Sequence, residues 1–169
     1  MIWRDLRPQP NVGFPPIADI ELSRHAGVMT ATLRFRYDFS DDPDDDFGWL
    51  MIEIVSGGFA GKGGFWVQRQ DVKDFGESLS AFPIADDASL GAQWGFDKRE
   101  GEDLRLKVQI TPANNRGDLN VSAEVADYLT PSQRVRTSFL TNYPELEAFK
   151  ASISKLMSRD ADEATLLGT

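Results

Sequence analysis

Apolar and polar residues alternate along most of this chain, and the period of the alternation changes in two places. From Val28 to Tyr37, Met29, Ala31, Leu33, Phe35 and Tyr37 alternate with Thr30, Thr32, Arg34 and Arg36. That period of two predicts a strand with one buried face and one polar, basic face. Trp49 to Val55 is instead nearly unbroken, with only Glu53 polar, which predicts a strand with both faces at least partly covered. Gly57, Gly58, Gly61, Gly63 and Gly64 follow it and let the chain reverse into a second strand, Phe65 to Gln68. Ser89 to Asp97 is a weaker strand. Asp103 to Thr111 and Leu119 to Ala126 alternate on either side of a loop rich in Asn and Gly, the pattern of a hairpin whose apolar faces share one core. Gln133 to Leu140 continues the alternation, with Arg134 and Arg136 on its polar side.

The period lengthens twice. Val72, Phe75, Leu79 and Phe82 form one helical stripe, with Asp71 as the expected N-cap and Pro83 ending the helix, so that a helix over 71–82 is predicted. Leu146, Phe149, Ile153, Leu156 and Met157 form a second stripe behind Asn142, Pro144 and Glu145, which are start signals for a helix over 143–158. Short turns between strands make the sheet antiparallel. The expectation is an α+β domain: a meandering antiparallel sheet of about seven or eight strands with two amphipathic helices.

Pro8, Pro10, Pro15 and Pro16 exclude helix from residues 1–17, an amino-terminal arm expected to lie extended over the domain. Residues 18–159 form the single domain that a 169-residue chain accommodates, and 160–169 read as a flexible tail. A hydrophobic fraction of 41%, with 11 Phe, 3 Tyr and 4 Trp, excludes a disordered chain. The net charge of -9 disfavours nucleic acid and anionic membranes as partners and favours a basic protein. No cysteine is present, so disulfides and thiolate chemistry are excluded. No secretory leader or apolar span is legible, and a cytoplasmic protein is expected. Asn120-Val121-Ser122 matches a glycosylation sequon, read as chance in that context.

Candidate chemistry is sparse. The glycines after Ser56 fail the phosphate-loop spacing, because Gly63 follows Lys62 where Ser or Thr is needed, and they lead into a strand, against a dinucleotide fingerprint. Asp42, Asp44, Asp46 and Glu53 have the spacing of a calcium loop, but Phe47 replaces its glycine and no helix flanks it, so a solvated acidic turn is favoured. His25 is the only histidine, and no GxSxG accompanies it. Arg34, Arg36, Arg134 and Arg136 would form an anion-binding strip if their strands were neighbours; solvated strand faces explain them more simply. Trp3, Trp49, Trp66 and Trp94 fit core packing, a pocket or an interface. No catalytic residue and no cofactor is assigned. Asp41, Asp42, Asp44, Asp45, Asp46, Trp49 and Trp66 are the candidate interface.

The hairpin Gly58-Phe59-x-Gly61, the strand Phe65-Trp66-Val67, the DVxxFxxxL helix of Asp71, Val72, Phe75 and Leu79, the paired strands, and the final helix of Leu146, Phe149, Ile153 and Leu156 resemble WapI-like immunity proteins and related small bacterial proteins. The resemblance covers roughly residues 50 to 157 and rests on order and pattern. It implies a non-enzymatic protein that neutralises a cognate toxin by contact, and an acidic surface would speed association with a basic toxin. Two alternatives stand beside it. One is a small-molecule-binding or enzymatic domain with a pocket between sheet and helix, equipped by Glu53, His25, Trp66 and the sheet-face arginines; the other is a homodimeric scaffold.

Overall fold

The structure, a computed structural model, describes residues 30–169 apart from Pro43 and Lys98. The amino-terminal arm, the weak alternation at Ala18 to Arg24 and the turn at His25 lie outside the described residues. Eight antiparallel strands and two helices follow in the order β1 (Ala31–Phe39), β2 (Phe47–Ser56), β3 (Phe59–Gln68), α1 (Arg69–Ser78), β4 (Leu90–Gly95), β5 (Leu104–Pro112), β6 (Asp118–Ala126), β7 (Arg134–Asn142), α2 (Tyr143–Met157) and β8 (Ala164–Gly168). The α+β class is as expected, and the strands divide between two four-stranded sheets, β3-β2-β1-β8 and β4-β5-β6-β7. Hereafter these are the first and second sheets.

The alternating runs supply the core. Leu33, Phe35, Leu50, Ile52 and Ile54 of the first sheet and Leu106, Ile110, Leu119 and Val121 of the second are fully or almost fully buried. Both helices lie on the inner side: Phe35 stacks on Phe75 of α1 and meets Phe149 of α2 edge-on. Burying a phenylalanine this completely stabilises by roughly 1.5–3 kcal/mol. Asn142 caps α2 as expected, its Oδ1 accepting from the Glu145 amide at 3.0 Å. At α1 the expectation needs correction. The helix begins at Arg69, its N-cap Gln68 makes no side-chain cap bond, and it ends at Ser78, short of Phe82.

The glycine-rich stretch is mostly strand. Only Gly57 and Gly58 form the turn, Gly57 at φ +59°, and Ser56 pairs with Phe59. Gly61 and Gly63 face inward, where their lack of a side chain lets β3 lie against the second sheet: a Cβ at Gly63 would stand 2.6 Å from the Ala126 carbonyl oxygen. The sequence pattern cannot distinguish this close approach from a long loop, because glycine signals both.

The expected flexible tail is a strand. β8 pairs with β1 from Ala31↔Gly168 to Phe35↔Ala164, with Ala164 and Leu166 fully buried. Thr169 and Leu140 exchange backbone hydrogen bonds of 2.9 and 3.0 Å, and Thr141 Oγ1 donates to the Leu167 carbonyl at 2.7 Å, so the carboxy terminus ties the two sheets together. Five residues between Glu163 and Thr169 carry too little alternation to announce a strand; long-range pairing defines it.

Candidate functional site

Strand β2 carries Phe47, Trp49, Met51 and Val55 on the face of the first sheet that points away from the core. Across the β2–β3 ladder Trp49 pairs with Trp66, and the two rings meet edge-on at 5.4 Å, with Trp49 lying against Gly64. Trp66 remains 51% exposed. The loop between β6 and β7 wraps around the β3 edge and brings Tyr128 to 5.2 Å from Trp49 and 6.0 Å from Phe65. Phe96, beyond the end of β4, lies 5.2 Å from Phe65 and 5.9 Å from Tyr128 and is 42% exposed. Five aromatic rings from four separate stretches thus run together around one sheet edge.

A guanidinium cluster adjoins them. Arg105, buried, holds its Cζ 4.8 Å from the centre of the Phe96 ring, while its Nε donates to the Tyr128 carbonyl at 3.3 Å. Glu124, also buried, accepts from Arg134 Nη1 at 2.6 Å and from Arg136 Nη2 at 2.6 Å. Burial raises the pKa of the Glu124 carboxyl, but hydrogen bonds from Arg136 and Arg134, with their charges, outweigh it and hold the pKa below 4.5. Arg134 also donates to the Gly101 and Pro131 carbonyls, clamping the two loops that carry Phe96 and Tyr128. Lys107 stands opposite Glu124 in the ladder, and Arg136, with a side chain 76% exposed, stands on its other side. One carboxylate is therefore surrounded by several cations, a local basic patch on an acidic protein.

Of the expected interface, Trp49 and Trp66 come together and the aspartates do not join them as a ligand set. Asp42 and Asp45 turn their carboxylates onto the amides of Asp44 and Phe47, and Asp46 pairs with Arg69 at 3.3 Å. Asp41 and Asp44 are exposed. Glu53 lies within β2 between Arg34 and Lys62, away from that loop, and no group of three or more metal-ligating side chains is found among the described residues. The four-arginine strip needs correction, since β1 and β7 belong to different sheets: Arg34 and Arg36 face Glu163, while Arg134 and Arg136 face Glu124. The groove between sheet and helix, about 550 Å³ beside β4 and α1, is lined by Asp71, Asp74, Gln93, Arg99 and Lys107 among others, and takes in neither Glu53 nor Trp66. His25 lies outside the described residues. Tyr37, whose hydroxyl donates to the Val67 carbonyl at 2.8 Å, is a buried structural phenol with its pKa pushed up to about 12 by burial.

Phe96, Arg105, Glu124 and Tyr128 escape sequence reasoning. Tyr128 and Leu129, apolar residues in a turn, are the one available signal; the convergence itself spans residues distant in sequence.

No protein-family model matches this chain, and no curated protein does. Among solved structures, that of the plant transcriptional regulator PBF-2 is 12% identical, covering 77% of this chain and 76% of that one at a TM-score of 0.39. WHY1 from Arabidopsis thaliana is 11% identical over 77% of this chain and 79% of that one, with a TM-score of 0.41. WHY3 from the same plant is 11% identical over 78% and 83%, with a TM-score of 0.36. None is named an immunity protein, and the first is named a transcriptional regulator. The expectation of a toxin-neutralising immunity protein with a basic toxin as partner, and with nucleic acid excluded, is corrected accordingly. At these scores the likeness assigns this chain no ligand. The exclusion of nucleic acid also averaged charge over the whole surface, whereas Arg134, Arg136 and Lys107 gather around the single carboxylate of Glu124.

Proposed function

We propose that this protein binds single-stranded nucleic acid, without catalysis, along the edge where the aromatic cluster meets the arginines of the second sheet. The observation that carries the reading is the half-exposed pair Trp66 and Phe96, joined through Trp49, Phe65 and Tyr128 and flanked by Arg105, Arg134 and Arg136. Exposed aromatic faces accept unstacked bases with little sequence preference, at about 1–3 kcal/mol per base. Arg134, bonded to the Gly101 and Pro131 carbonyls of the loops that carry Phe96 and Tyr128, is the cation at the cluster, with Arg136 and Lys107 around the same Glu124 extending the charge along the second sheet to meet phosphates; the Glu124 carboxylate fixes the arginines.

Titration with a short single-stranded oligonucleotide, read by tryptophan fluorescence, tests this. Saturable quenching at low salt is expected, and Trp66→Ala lowers affinity by about 1–3 kcal/mol, roughly five- to 150-fold. With three cations engaged, log K falls against log salt with a slope of about -2. Absence of saturable quenching at low ionic strength would refute the reading.

A further inference from the structure

The nearly unbroken apolar run of β2 calls for cover on both faces, and on the outer face the described residues leave Phe47 and its neighbour Trp66 about half exposed. Both helices and the second sheet lie on the inner side of the first sheet. Its outer side presents an aromatic end of Phe47, Trp49 and Trp66 and an aliphatic end of Val55 and Leu167, separated by the charged row Arg34, Glu53 and Lys62; Phe47, Trp66 and Leu167 are 43%, 51% and 44% exposed. We infer that the cover is this chain's own amino-terminal arm, laid across the outer face of the first sheet with its prolines against Trp66.

Where the arm joins the domain supports this. Residues 1–29 lead into Thr30 at the start of β1, beside Val55 and Leu167, the partners of Thr32 in the two neighbouring strands. Trp49 lies six residues along β2 from Val55, about 20 Å away. The stretch from Pro16 to Thr30 reaches about 45 Å when extended, so Pro15 and Pro16 reach the tryptophans with slack. The composition of the arm suits the surface. Leu22, six residues on from Pro16, matches the aliphatic end near Val55 and Leu167, and Phe14 and Ile17 with the prolines match the aromatic end, the pairing by which proline-rich segments dock on aromatic grooves. Trp66 also belongs to the nucleic-acid site, so the arm competes there in cis; that consequence rests on the proposed function, whereas the docking does not.

Limited trypsin digestion of the full chain without nucleic acid tests the docking. Cleavage after Arg24, at the root of the arm, is expected to accelerate about tenfold in Trp66→Ser/Leu167→Ser and in Pro15→Ala/Pro16→Ala/Ile17→Ser, with the melting temperature of the domain unchanged. Equal cleavage rates in all three proteins overturn the proposal. So does a wild-type rate that depends on protein concentration, since the arm would then lie on a second copy. The arm variant also binds oligonucleotide more tightly than wild type. If neither binds but the cleavage difference persists, the docking stands and the nucleic-acid reading fails.

Discussion

The outer faces of the two sheets come from equally plain strand patterns and end in opposite conditions. On the second sheet, Gln93, Lys107, Glu124 and Arg136 stand in one row and Gln109, Ser122 and Ser138 in the next, so the face is polar and its buried acid, Glu124, is satisfied twice. On the first sheet, Phe47, Trp49 and Trp66 of β2 and β3 stand where solvent-facing residues belong, beside a charged row of Arg34, Glu53 and Lys62. A polar outer face completes itself; an apolar one asks for a partner. The proposed site sits where the two conditions meet, at the β3 edge, because there exposed aromatic rings and the Arg105 and Arg134 guanidiniums come together.

The sharpest break in that arrangement is expected at the contact holding the faces in place. Gly63→Val pushes a side chain into the Ala126 backbone and should cost about 3 kcal/mol or prevent folding, read by denaturant unfolding. Next comes Glu124→Ala, which leaves the part-buried Arg134 without its anion and should cost about 2 kcal/mol and loosen the loops carrying Phe96 and Tyr128. The same pair gives a pH signature. Because the folded pKa of Glu124 is depressed, its contribution is fully present above 4.5 and is lost as pH falls through the lower folded value. The stability gap between wild type and Glu124→Gln should therefore be constant near neutrality and shrink below pH 4.5 in unfolding measured across that range. The smallest effect belongs to the other face: Trp66→Ala, at a half-exposed position, should change stability by less than about 0.5 kcal/mol while weakening oligonucleotide binding. A large stability loss there would mean that Trp66 is structural and would dissolve the contrast.

How much of this was legible differs by element. α2 announced itself through a cap, a proline and a stripe that all agree, and the β5–β6 hairpin through matched alternation around an Asn and Gly loop. α1 began two residues before its expected cap, because Arg69 takes its backbone partner from Asp46 across the β1–β2 loop end and not from a side chain. Of the site, Trp49 and Trp66 were visible as residues of interest, while the aspartates beside them proved to serve their own turn.

Local order in the chain, its two helices, its antiparallel strands and the class they form, follows from periodicity and punctuation, since these act between residues a few positions apart. The division into two sheets, the docking of β8, the glycine contact at Gly63 and the meeting of Trp66, Phe96, Tyr128 and Arg105 depend on residues tens of positions apart becoming neighbours. No period within one strand records which other strand it will touch. That choice is made when the whole apolar surface is buried at once, and the folded molecule is where it can be read.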